Sequence, residues 1–420
     1  MTKPNSDLIF WVLLLILISV SPVQGHSSNS AQSSTPLWSE YSGSHEVDCS
    51  DDGAYVVAGS DNGTLRMYDR TGKVLWTFRR DEKIVRSVAI SGNGEYVGAI
   101  FLVPDVPSYY SATEILYFNR TGSLLWEYSR DYTIEHIAIS DDGNTLYASG
   151  SPRLYSFDRN GKLLGTTTSQ GRIWALESAA DGSYAVAGSA LSSNKMYVFD
   201  RSGSPLWNYS ARHGIFCIQI SPDGETIVGA GYSHLYSFNR NGTLKWQYDT
   251  SSDFRDIALS PDGEYIAGGA QYYFWLFNRT GSLVWQKTDK DYFDAVGFSH
   301  DGQRIIAGTS HGIKVYDRHS RLIWNYSTPK QILELSTSKN ADYFVAGSSD
   351  SVYFFNDRGD AIVAGVPSGP VPALSSSLVT ATESPEPETA KKSASTLLLI
   401  CVSVCIAIGM YVYCTKRNLR

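Results

Sequence analysis

Cysteine is scarce in these 420 residues. Of the five present, Cys401, Cys405 and Cys414 lie in or beside one C-terminal apolar run, leaving Cys49 and Cys217 for the rest. That is far too few for a disulfide-stapled scaffold, so stability has to come from burial and strand pairing. There is no Cys-Cys pair, Cys-x-x-Cys-His haem attachment, zinc helix, phosphate loop or nucleophile elbow. The eight histidines stand at unrelated offsets and suggest no ligand cluster. Basic excess is missing too: a net charge of −7 argues against nucleic acid as partner, because phosphate contacts need basic surface.

Long apolar runs are confined to the two ends. Lys3 precedes Leu8 to Val20, and Ser21-Pro22-Val23-Gln24-Gly25 follows with small residues that suit a signal peptidase. Thirteen positions fall short of the ~20 a membrane span needs, so residues 1–25 read as a cleaved secretory signal. Leu397 to Cys414 is longer, 18 residues without a charge. It makes about 27 Å of helix, and Lys416, Arg417 and Arg420 follow it. We read residues 396–414 as a transmembrane helix in the lipid bilayer, 415–420 as a cytoplasmic tail, and everything between the ends as extracellular. Residues 366–395, rich in Pro, Ser, Thr, Ala and Glu, form a linker with no apolar periodicity.

What fills the middle is repetition. An apolar strand, an Asp-Gly turn, a Val-Ala-Gly strand, a Leu-Tyr-x-Phe strand, an Asp/Asn-Arg-x-Gly turn and Leu-Trp recur in that order. The Trp slot is held by Trp38, Trp76, Trp126, Gly165 (the exception), Trp207, Trp246, Trp285 and Trp324, in steps of 38, 50, 39, 42, 39, 39 and 39 residues. A period near 40 with four strands per unit predicts an all-β propeller over residues 36–365, whereas helical repeats would show 3.6-residue spacing. Ser221-Pro222-Asp223-Gly224 and Asn119-Arg120-Thr121-Gly122 place Gly fourth, as type I turns ending in a left-handed residue require. Both turn sets must then lie at one end, with the variable connections at the other.

Eight three-strand triplets start at Val47, Val88, Ile137, Leu176, Ile218, Ile257, Val296 and Leu335, which predicts an eight-bladed propeller of four antiparallel strands per blade. Seven blades with a divergent extra unit is the alternative. Trp38 fits the Trp slot, whereas Val363 occupies it in the last unit, so Leu37 to Tyr41 should supply the outer strand of the last blade and close the ring.

Asp69-Arg70-Thr71-Gly72-Lys73-Val74-Leu75-Trp76 resembles the Thr-Gly-Lys-x-x-Trp docking motif of PQQ-like propeller repeats, with Asn241-Gly242-Thr243-Leu244-Lys245-Trp246 a weaker copy. The chain also resembles the WD-repeat-like propellers of methanogen cell-surface proteins, although no Trp is followed by Asp. The resemblance implies that the motif Trp packs blade on blade.

Two positions before each triplet stand His45, Arg86, Glu135, Trp174, Phe216, Arg255, Asp294 and Leu333, expected around the axis at the variable end. Arg86 and Glu135 fall on neighbouring units, as do Arg255 and Asp294. They read as two structural ion pairs beside an aromatic plug, or as a recognition surface. The longest insertion, Leu102 to Thr113, adds Tyr109 and Tyr110. Tyr272 and Tyr273 make a weaker pair. Cys49 and Cys217 lie on opposite sides of the ring and should be free, buried thiols. Asn62, Asn119, Asn208, Asn241, Asn278 and Asn325 head glycosylation sequons, several of which are simply the repeated turn. Arg358-Gly359-Asp360 spells an adhesion tripeptide on that same turn formula. No catalytic, cofactor-binding or metal residue is assigned. The expectation is a non-catalytic surface scaffold for a protein or glycan; a quinoprotein-type enzyme and a structural envelope protein are the alternatives.

Overall fold

A computed structural model describes residues 32–104, 111–150, 152–191 and 193–359. The signal, Tyr109 and Tyr110, Asp360, the linker and the membrane segment lie outside these residues. Among those described there is no helix long and apolar enough to cross a membrane. Every regular element among the described residues is a strand.

The innermost strands are Ser44–Cys49, Ile84–Ile90, Ile134–Ile139, Arg172–Ser178, Ile215–Ile220, Phe254–Leu259, the second half of Leu283–Phe298, and Ile332–Thr337. We number the sequence repeats one to eight after them. Each contacts the next, and Ile332–Thr337 returns to Ser44–Cys49, so the ring is closed. Second strands are buried almost throughout, as in Tyr184–Ala190, because both faces meet neighbouring sheets. Outermost strands such as Leu244–Asp249 alternate exposed and half-buried positions, with one face in water.

The blade number departs from the sequence expectation. The strands form seven hydrogen-bonded sheets, six with four strands and one with seven, so the prediction of eight separate four-stranded blades is corrected to seven. The cause is local. In repeats six and seven the connections are so short that they join the ladder: Tyr265–Asn278 and Leu283–Phe298 are continuous strands of 14 and 16 residues. Gln271 pairs with Tyr292, and Leu283–Phe298 goes on to pair with Arg304–Thr309, so two repeats share one double-width sheet.

Closure uses the chain's beginning. Trp38–Tyr41 pairs antiparallel with Ser351–Asn356 as the outer strand of the last sheet. Gln32–Ser33 adds a parallel pairing to Leu322–Ser327 that nothing in the repeat foretells.

One interaction recurs at the joints. The indole Nε1 of Trp38 donates to the carbonyl of Arg70 at 3.1 Å, and Trp76, Trp126, Trp207, Trp246, Trp285 and Trp324 donate to Arg120, Arg159, Arg240, Arg279, Arg318 and Asp357. Each ring lies beside the next unit's turn. At Gly72 (φ +84°) an added Cβ would come within 2.7 Å of Trp38, so glycine answers both the backbone angle and the approach. The turn arginine reaches back over the preceding unit's tyrosine: Arg70 over Tyr343 at 4.8 Å, Arg120 over Tyr55 at 4.6 Å, Arg240 over Tyr184 at 5.0 Å and Arg318 over Tyr265 at 4.5 Å. Gly165 breaks the series, because a Cβ there would strike the carbonyl of Ser202.

Trp324 is buried to 1 % and stacks on Phe344 and Phe355. Trp324→Ala is therefore expected to cost about 3–5 kcal/mol. Trp246, at the protein edge, should cost less when changed to Ala. Urea unfolding of the two variants against wild type checks the order.

Candidate interaction face at the loop end

Each innermost strand carries one residue more than its partner. Pairing skips from Ser44 to Glu46, Val85 to Ser87, Ile134 to His136, Ile173 to Ala175, Ile215 to Cys217, Phe254 to Asp256, Phe293 to Ala295 and Ile332 to Glu334. The bypassed residues are His45, Arg86, Glu135, Trp174, Phe216, Arg255, Asp294 and Leu333, the same positions marked in the sequence. A β-bulge leaves its extra residue out of the ladder and re-aims its side chain. Eight equivalent bulges thus place eight side chains of seven kinds at the loop end of the inner ring.

Their partners differ in part from those expected. Arg255 pairs with Asp294, which also accepts from Gln331 Nε2 at 2.6 Å. Arg86 and Glu135 do not pair with each other. Arg86 lies 3.6 Å from Glu46, and Glu135 accepts a two-nitrogen contact from Arg172. Adjacency of units in sequence did not reveal that the preceding and following strands offer better-placed charges. Arg172 also covers the Trp174 ring at 4.5 Å.

The aromatic side of the mouth is continuous. Trp174 meets Phe216 edge-on at 5.6 Å, Phe216 meets Tyr232 at 4.7 Å, and His213 stacks on His234 at 5.1 Å. The Trp174 indole Nε1 is buried and has no hydrogen-bond partner within the protein. A second group lies by Arg255, whose guanidinium covers Tyr292 at 4.8 Å; Tyr272, 43 % exposed with φ +67°, packs edge-on against Tyr292. Tyr273 instead stacks on the buried Trp275. Leu333 is 43 % exposed.

Behind the bulges the inner strands carry acid. Asp48 accepts from the amide of Ile90, and Asp256 from those of Ile257 and Val296, so both carboxylates tie one inner strand to the next. Burial pushes Asp256 up to about 7 in spite of those bonds. Burial also raises Glu46 to about 7, against the pull of Arg86. Glu177 rises to about 7 through burial, opposed by Lys339 and reinforced by Asp48. Glu334 is raised well above the carboxylate range by burial and by Glu46. At the turn end Lys339 lies 3.3 Å from Asp51 and 2.5 Å from Asp141, joining repeats eight, one and three.

Cys49 and Cys217 are free and buried. The sequon residues Asn119 and Asn278 brace their own turns: each Oδ1 accepts from the amides two and four residues on. Asp69 does the same for Thr71 and Lys73, which shows why these asparagines recur. Asn62, Asn208 and Asn241 are exposed, and Asn325 is half-buried. Arg358 and Gly359 continue the last turn, Arg358 pairing with Asp342.

Two features were missed. Repeat three has Gly165 and Thr167 where most other outer strands place Trp and an aromatic, and beside them lies a cleft of about 190 Å³ lined by Thr167, Gln170, Lys195, Tyr197 and Trp207. The gap in the Trp series signalled it. The spacing of the histidines did not reveal that His300 stands beside Asp342 and Asp357.

Fold and lock together define a β-propeller of the PQQ-like and WD-repeat-like kind. Residues 192–371 match the family of the outer membrane protein assembly factor BamB, 39–69 the WD domain, G-beta repeat, and 108–233 a family of unknown function. Among solved structures, the C-terminal WD40 domain of Sif2 aligns with TM-score 0.64 at 15 % identity, over 77 % of this chain and 98 % of that one. BamB from Moraxella catarrhalis gives 0.61 at 16 %, over 76 % and 99 %. Sqt1 from Chaetomium thermophilum, bound to the N-terminus of a ribosomal protein, gives 0.61 at 14 %, over 74 % and 96 %. No curated protein matches the sequence.

The raised inner carboxyls carry a sign. A carboxyl whose folded pKa exceeds its unfolded value contributes stability below the unfolded value, and loses it as pH rises through the folded one. For Glu177 the window runs from the ordinary carboxyl value of 4.5 to about 7. Glu177→Gln should therefore be more stable than wild type at pH 8, by roughly 1–3 kcal/mol after allowance for water, and close to it at pH 4. Urea unfolding at the two pH values measures the difference.

Proposed function

We propose that this protein is a membrane-anchored extracellular propeller that binds a protein partner, without catalysis, at its loop end. The observation that carries this reading is the ring of bulges. Where the repeats lock together they use the same residues again and again; where they bulge they present His, Arg, Glu, Trp, Phe, Arg, Asp and Leu. Repetition serves packing, and its abandonment at one re-aimed position per unit suits recognition of a single asymmetric surface.

The aromatic side supports the same reading. Trp, Tyr and Arg dominate the energetic centres of protein interfaces, the two aromatics because they bury large areas with few rotatable bonds. Trp174, Phe216 and Tyr232 lie together, flanked by the Arg172–Glu135 pair. WD40 propellers and BamB share the architecture, and the Sqt1 structure carries a protein segment. A glycan partner rests on the same aromatic chemistry and is separated from a protein by the test. Extracellular placement and anchoring rest on the two apolar ends of the sequence.

Intact cells expressing the full-length protein provide the experiment. Surface biotinylation should label the propeller. Surface cross-linking should capture a defined partner that Trp174→Ala and Phe216→Ala each reduce more than tenfold, and that Arg279→Ala, at the turn end, leaves unchanged. Capture that survives protein deglycosylation and periodate treatment identifies a protein rather than a glycan. Equal capture by all variants, or a bound quinone chromophore in the purified protein, overturns the proposal.

A further inference from the structure

The joint between repeats seven and eight departs from the others at three positions at once. Seven turns place Arg after the Asp or Asn: Arg70, Arg120, Arg159, Arg201, Arg240, Arg279 and Arg318; the last places Asp357. The preceding unit's second strand begins with Arg304, where Tyr265 and Tyr343 stand in its neighbours. The cation–aromatic staple is thus replaced by a charge pair of reversed order, Arg304 to Asp357 Oδ1 at 3.4 Å. The third change is His300, in the first turn of repeat seven.

That exchange leaves three atoms over. A ring nitrogen of His300, a carboxylate oxygen of Asp342 and one of Asp357 all lie within 4.8 Å of one another. Asp357 is only 1 % exposed, and its Oδ2 has no hydrogen-bond partner. His300 Nδ1 stands 2.7 Å from Asp342 Oδ1, yet neither atom makes a hydrogen bond of proper geometry, so the ring N–H does not point at the carboxylate. A proton shared along that line would align the two groups; a lone pair aimed at a third body would not. The outer oxygens are already held: Arg358 sits 2.5 Å from Asp342 Oδ2, and Arg304 holds Asp357 Oδ1. Each carboxylate therefore has one oxygen fixed by a guanidinium and the other without a hydrogen-bond partner. Groups fixed in this way are oriented for a metal.

We infer that His300, Asp342 and Asp357 bind a divalent transition cation of the zinc class that pins repeat seven to repeat eight. One imidazole nitrogen and two carboxylate oxygens suit Zn²⁺, whose bonds of about 2.0–2.2 Å would be reached by small rotations of these side chains. Calcium and magnesium, which prefer oxygen alone, fit less well. The His300 side chain is 33 % exposed, which gives the ion a way in and leaves a coordination position for water. The cation stands at the one joint whose turn carries no arginine.

The test uses full-length protein in detergent, freed of metal by chelator. Titration with Zn²⁺ should show one saturable site, and Co²⁺ should give a visible d–d band. His300→Ala, at a part-exposed position that leaves the core intact, should weaken Zn²⁺ binding at least tenfold and abolish the band. Asp357→Asn should do the same, and His311→Ala, whose imidazole lies against Asp291 elsewhere, should not. Zn²⁺ should raise the thermal midpoint of wild type but not of His300→Ala. Absence of a saturable site, or equal affinity in His300→Ala and wild type, overturns the inference and leaves an ordinary ion-pair network.

Discussion

The joint between repeats is the interaction on which the rest depends. A single sheet in this chain cannot bury both of its faces, so each must be clamped to the next and the last to the first. The clamp is a tryptophan on the outer strand, a turn residue of positive φ beside its ring (glycine at every joint except that of Trp285, where it is Ser320), and a carbonyl that accepts its N–H. At five joints donor and acceptor are 33 residues apart. At Trp76 the separation is 44, because the long insertion of repeat two falls between them, yet the bond still forms at 2.9 Å. The spacing changes and the joint does not. A rigid turn end follows, and the other end is left to vary.

That division explains where the sequence was legible. Period, strand order, the turn glycines and closure by Trp38 are all written in residue types that only one geometry satisfies. Sheet number is not. Whether a connection stays a loop or joins the ladder depends on a few residues such as Gln271 and Tyr292, and their types do not announce it. The ring of bulge residues was legible as a column of variability, but the partners of Arg86 and Glu135 were not, because charges on flexible side chains choose by distance.

The least legible feature was in principle readable. His300, Asp342 and Asp357 are far apart in sequence and follow no ligand spacing, so a search for metal motifs passes over them. Aligned by repeat, however, Asp357 occupies an arginine slot and Arg304 a tyrosine slot. Departures from an internal consensus carry more information than matches to an external one. The same comparison marks Gly165, where a missing tryptophan coincides with a cleft.

The inner carboxylates sharpen the difference between stability and purpose. Asp48 and Asp256 are fully used, each tying neighbouring inner strands through backbone amides. Burial of an ionised carboxyl still costs free energy, which is why Asp256 rises to about 7. Glu177 and Glu334 face the same penalty, Glu334 with the field of Glu46 added and Glu177 with that of Asp48, eased by Lys339. Apolar residues serve at equivalent positions, Ala258 in the column of Glu177 and Ala175 in that of Glu334, so the fold does not require acid there. Seven tryptophan joints supply the margin that tolerates it. Acid retained where packing does not ask for it sits directly behind the mouth, where burial favours its neutral form.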